Sequence, residues 1–185
     1  MQRLVPSKSL VAVVDVQERL AAAMPVDRMA QLVQKTIILL SAAEILGAPV
    51  AATQQYPKGL GPTVPELDQK LTSVHARRLD KMAFSAVGAP EFAALLGEQR
   101  PAAAIVVGME THICVYQTVR DLAAQGIAVY VPVDAVVSRR EEDRAAGIAL
   151  CERAGAIPTT VEAVVFDWLE RAGTDAFRAV AKLVR

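Results

Sequence analysis

The run Leu10 to Val14 (L-V-A-V-V) constrains this chain more than any other stretch. Consecutive apolar residues, mostly β-branched and without polar alternation, make a strand that is buried on both faces, which is the habit of a parallel sheet covered by helices. The same texture returns at Ala103 to Val107 (A-A-I-V-V) and at Ile127 to Val131, with shorter strands at Pro49 to Thr53, around Arg77 to Asp80, and at Ala156 to Thr160. Between them lie helical patterns. Asp27 to Leu46 is amphipathic, with Asp27 as the expected N-cap and Gly47 as the stop. Ala89 to Gly97, Cys114 to Ala124 and Glu141 to Ala154 read as further helices, followed by Val161 to Leu169 and Thr174 to Val184. Alternation with crossovers of this length predicts an α/β fold of three layers, α/β/α, around a doubly wound, mostly parallel sheet of about six strands.

At 185 residues the chain has the size of one domain, and no linker, repeat or low-complexity segment divides residues 1–185. Twenty Lys plus Arg balance twenty Asp plus Glu, so no long-range field draws in nucleic acid or an anionic membrane surface. The apolar run near the N-terminus ends at Asp15, too soon for a signal segment or a span. Cys114 and Cys151 are too few for a disulfide scaffold, and the expected setting is the reducing cytoplasm. Hydrophobic residues reach 53%, an excess that predicts a homo-oligomer, dimer or tetramer, with Val164, Val165, Phe166, Trp168 and Leu169 as its apolar contact.

In doubly wound sheets the ligand site lies beyond the carboxyl ends of the strands. Asp15 follows the first strand directly, in D-V-Q; it is either a turn cap or a reactive carboxylate. No G-x-G-x-x-G or G-x-x-x-x-G-K-[ST] occurs there, and Gln17 breaks the D-x-D of aspartyl-phosphate chemistry. Taken alone Cys114 reads as a buried inert thiol, but it enters a helix after Gly108, where dipole and free amides lower a thiol pKa and receive an oxyanion. Cys151, inside a helix, reads as structural. Lys81, beside Arg78 and Asp80, reads from spacing alone as solvated, and His112 as a pocket wall or surface residue.

G-M-E-T-H-I-C-V (Gly108 to Val115), taken with D-V-Q-E at Asp15 and D-K-M-A-F-S around Lys81, resembles the isochorismatase-like cysteine hydrolases, relatives of nicotinamidases and N-carbamoylsarcosine amidases. Q-Y-P-K-G-L-G-P-T-V-P-E-L (Gln55 to Leu67) and V-D-A-V-V-S-R (Val133 to Arg139) extend the likeness towards a small branch. The resemblance implies a triad of Asp15, Lys81 and Cys114. It also implies a non-proline cis peptide before Glu110 and an oxyanion hole made by the amides of Glu110 and Cys114. Gln17, Tyr56, Phe84, His112 and Tyr116 are the candidate substrate-binding residues. The chain departs from nicotinamidases at Thr53 to Lys58 (T-Q-Q-Y-P-K), which lacks their Asp and His metal ligands, so neither metal nor other cofactor is expected. True isochorismatases lack a cysteine at this position. The expectation is hydrolysis of a small amide or carbamoyl C–N bond, with an ether hydrolase of isochorismatase type and a non-catalytic small-molecule binder or redox sensor as rivals.

Overall fold

The computed structural model describes residues 3–184. The elements run β1 Ser9–Val14, α1 Glu18–Ala21, α2 Val26–Leu46, β2 Val50–Gln55, α3 Pro57–Leu60, α4 Pro65–Ser73, β3 Arg77–Lys81, α5 Pro90–Gln99, β4 Ala103–Met109, a π turn Thr111–Val115, α6 Tyr116–Ala124, β5 Ala128–Pro132, β6 Val136–Val137, α7 Glu141–Arg153, β7 Ile157–Thr159, α8 Val161–Leu169 and α9 Asp175–Val180. The strands pair in parallel in the order β3-β2-β1-β4-β5-β7, with β6 beside β4.

β1 shows why the apolar runs do not alternate. Val11 and Val13 face the cluster formed with α2, α4 and α8, whereas Leu10, Ala12 and Val14 face the cluster formed with α5, α6 and α7. Every residue of β1 and β4 is buried, so each side chain gains a hydrophobic contribution of about 25 cal/mol per Å² of apolar area removed from water. Chain order reverses between β1 and β4, neighbours in the middle of the sheet, and their carboxyl ends open the crevice there.

The expected mostly parallel sheet of about six strands is present; among the described residues it has a seventh, Val136–Val137 as β6, too short to leave a periodic signal. Several other expectations are corrected. Pro25, not Asp27, caps α2; Asp27 sits in the first turn, where its charge still favours the positive end of the helix dipole. The helix after Gly108 begins in earnest at Tyr116, with Cys114 in the π turn before it. The last helix stops at Val180, short of Val184. Trp168, expected at a subunit contact, is 5% exposed and donates its indole N–H to Ser9 Oγ at 3.1 Å; with Val164, Val165 and Leu169 it packs α8 onto its own sheet. By length and apolar composition α2 is able to cross a bilayer, yet here Leu32, Leu39, Leu40, Ala42 and Ala43 are buried in the core.

Candidate active site

Three strand ends converge on Asp15. The residue leaves β1 with φ 53°, a left-handed conformation uncommon outside glycine. Its Oδ1 accepts from Thr53 Oγ1 on β2 at 2.8 Å, and Lys81 Nζ from the end of β3 lies 2.6 Å from Oδ2. Both charged side chains are wholly buried. The reading of Lys81 as solvated is therefore overturned. On edge strand β3 the pleat turns Arg78 and Asp80 outward and Leu79 and Lys81 inward, while Arg77, at the start of the strand, is exposed as well.

The Lys81 ammonium is held by four acceptors. Besides Asp15 it donates to Gln55 Oε1 at 2.7 Å, Phe84 O at 2.7 Å and Ala83 O at 3.2 Å. A buried ion pair persists only when such additional partners offset desolvation.

Cys114 is 6% exposed, and its thiol lies within electrostatic reach of both Asp15 and Lys81. Burial, and then the negative charge of Asp15, push the thiol up to about 12, with Lys81 pulling the other way. This reverses the lowering expected from the helix terminus: amide dipoles act in the first turn, but here desolvation and a neighbouring anion outweigh them. Burial also raises Asp15 above the ordinary carboxylate value, against the pull of Lys81 and Thr53. A protonated thiol thus rests against a base stronger than a carboxylate in water.

The expected cis bond is present between Met109 and Glu110. The buried Glu110 carboxylate turns to Arg139, accepting from its backbone N–H at 3.3 Å and its Nε at 3.1 Å. Gly108 (φ 124°) crosses β1 so closely that a Cβ would lie 2.1 Å from Val14 O, which brings the two chain segments carrying Asp15 and Cys114 together.

The candidate substrate residues separate in space and role. Gln17 is a correction: it is fully buried, its Nε2 donates to Gln55 O at 3.0 Å and Gly61 O at 2.7 Å, and its Oε1 accepts from Gln55 N at 2.7 Å. With both amide hydrogens and its oxygen engaged by main chain, it pins the turn after β2 rather than meeting a ligand. Tyr56 and Phe84 are exposed at the strand ends, and Tyr56, Lys81, Met82 and Pro90 help line a cavity of about 540 Å³. His112 is half-buried with Nδ1 3.0 Å from Ser138 Oγ, and Tyr116 stacks under Arg120 at 5.7 Å.

Sequence reasoning assigned no role to Thr53, Gln55, Ser138 or Gly147. Ser138 Oγ accepts from Thr111 N at 3.1 Å and so fastens the π turn. Gly147 lets α7 lie against that turn, since a Cβ there would sit 2.6 Å from His112 N. A polar residue closing an otherwise buried strand was the available signal for Thr53 and Gln55; for Gly147 there was none.

Fold and site together define an α/β protein organised around a buried cysteine, carboxylate and ammonium at the switch point of a parallel sheet. The model of the isochorismatase domain matches residues 9–163, and the chain belongs to the isochorismatase-like hydrolase family. Mouse isochorismatase domain-containing protein 2A is 32% identical over 183 residues, 99% of this chain and 85% of that protein. A Caenorhabditis elegans structure described as MAR1 ribonuclease is 37% identical with TM-score 0.91, covering 99% of this chain and 92% of that one. The Escherichia coli YcaC product, described as an octameric hydrolase of unknown specificity, shares the fold at TM-score 0.87 and 23% identity, over 98% and 88% of the two chains.

Proposed function

We propose that this protein is a cysteine hydrolase that cleaves a small amide or carbamoyl C–N bond, with Asp15, Lys81 and Cys114 as its triad. The observation that carries the reading is a wholly buried Asp15–Lys81 ion pair, Oδ2 to Nζ 2.6 Å, whose two charges act on the buried Cys114 thiol. Asp15 takes the thiol proton as sulfur attacks the acyl carbon. The proton passes to Asp15 as the sulfur attacks, so no separated thiolate has to form in a buried site. The carbonyl oxygen becomes an oxyanion, received by the Glu110 and Cys114 amides. As the tetrahedral intermediate collapses, Asp15 returns the proton to the leaving nitrogen. A thioester remains on Cys114; Asp15 then deprotonates a water that attacks it, releasing the acid and restoring the thiol. Lys81 offsets the negative charge shared by Asp15 and Cys114.

The reading takes no metal, because the end of β2 and the turn after it offer Gln54, Gln55, Tyr56 and Pro57 where a His and Asp set would be needed. Ammonia release from a panel of primary amides and ureido acids, before and after exhaustive chelation, tests both statements. Equal rates are expected. Loss with chelator and recovery with zinc or iron would overturn the metal-free reading, and silence across the panel with turnover of a vinyl ether or RNA would overturn C–N cleavage. Balanced charge argues against a polyanionic substrate. We place the protein in the cytoplasm, where the thiol stays reduced, and as a homo-oligomer, in line with the octamer described for YcaC. Light scattering decides the second point: a mass near 19.7 kDa would refute it.

A further inference from the structure

Gln55 ends β2 between the strands that carry Asp15 and Lys81, in register with Lys81 itself. It is 8% exposed, and both polar atoms of its side chain have partners. Nε2 donates to Met82 O at 2.8 Å, which forces Oε1 towards Lys81 Nζ at 2.7 Å; its backbone N–H is clamped by Gln17 Oε1 at 2.7 Å. Gln17 in turn holds Gly61 O of the turn that follows. The amide cannot flip, since its nitrogen would then face the ammonium and its oxygen a carbonyl.

We propose that Gln55 is a positioning residue of the triad: a neutral acceptor, locked by Gln17 and Met82, that holds the Lys81 ammonium against Asp15 without adding a second negative charge. Neutrality is what the place demands. A carboxylate here would divide the one buried ammonium between two anions, and the charged groups facing the thiol would then be Asp15, Glu110 and residue 55 against Lys81 alone, Glu110 being partly offset by Arg139. An apolar residue would leave the ammonium three acceptors, Asp15, Phe84 O and Ala83 O, and no group on β2 to fix its place against Asp15. The first change weakens the positive field on Cys114 by added negative charge, the second by letting the ammonium shift. The inference rests on the proposed triad only for the meaning of the thiol's reactivity, and its test needs no substrate.

The experiment is iodoacetamide labelling of the whole protein near neutral pH, with Cys114 and Cys151 followed separately by peptide mapping, in wild type, Gln55→Glu and Gln55→Met. Labelling of Cys114 is expected to slow by about threefold or more in Gln55→Glu, the effect of half a pKa unit, and to a smaller extent in Gln55→Met. Cys151 is expected to keep its wild-type rate. A merely structural role would do the opposite, opening the fold and speeding both cysteines. Unchanged Cys114 labelling in a folded Gln55→Glu protein, or acceleration of both thiols, overturns the proposal; if Gln55→Glu does not fold, Gln55→Met decides by the same criterion. A triad that labels as expected but hydrolyses no amide would overturn the C–N reading and leave the role of Gln55 standing.

Discussion

At the scale of single residues, the site is a problem of where charge is kept. Asp15 and Lys81 are each fully buried, and either one alone would be an uncompensated charge in a low-dielectric interior. Lys81→Met is therefore expected to destabilise the protein by roughly 3–5 kcal/mol, measured by denaturant unfolding. Cys114→Ser and Asp15→Asn keep the shape of the site and are expected to reduce turnover to a few per cent or less. Thiol and base act as a unit, so the double variant should be little worse than either single one. A single variant that keeps substantial activity on a true substrate would show that the pair does not perform the reaction.

Elements matter by how closely they approach. The π turn bearing Cys114 is held between β4, which supplies Gly108 at the crossing with β1, and α7, whose Gly147 touches the backbone at His112. A glycine in the middle of a helix is normally a loss of about 1 kcal/mol relative to alanine. Gly147→Ala is nevertheless expected to cost about 1–3 kcal/mol, because its Cβ meets main chain that cannot rotate away. The same change displaces the thiol, so activity should fall further than stability alone explains. Thermal melting alongside turnover checks this, and an alanine variant more stable than wild type would show that α7 is free to shift.

For the molecule as a whole, alkaline pH is the weak side. Cys114 and Cys151 both titrate only near about 12 in the folded chain, chiefly through burial, against 9.0 as the reference value. The unfolded chain thus loses these protons first. Stability should hold below the reference value and fall progressively as pH rises from there towards 12, since each deprotonation favours the unfolded state. Asp15 is also raised by burial and contributes in the same direction at acidic pH, its cost developing above the ordinary carboxylate value of 3.8. Melting temperature measured against pH checks the alkaline limb, and Cys151→Ala should flatten it; an unchanged slope would mean that other groups control it.

The layers, the parallel sheet and the strand ends that matter were legible from residue order, because burial on both faces removes the polar alternation and leaves continuous runs such as Leu10 to Val14. The likeness around Cys114, Asp15 and Lys81 singled out in advance three groups that the fold buries together. Their state was not legible. Lys81 reads as solvated beside Arg78 and Asp80 until the pleat of β3 turns it inward, and Cys114 reads as an acidified thiol until the burial and the Asp15 carboxylate around it are known. Gln17 looked like a ligand-facing amide but is consumed by main chain 38 and 44 residues away. Local sequence determines which face a side chain takes and which element carries it, whereas solvation and charge environment are sums over neighbours distant in the chain, and only the tertiary fold decides those.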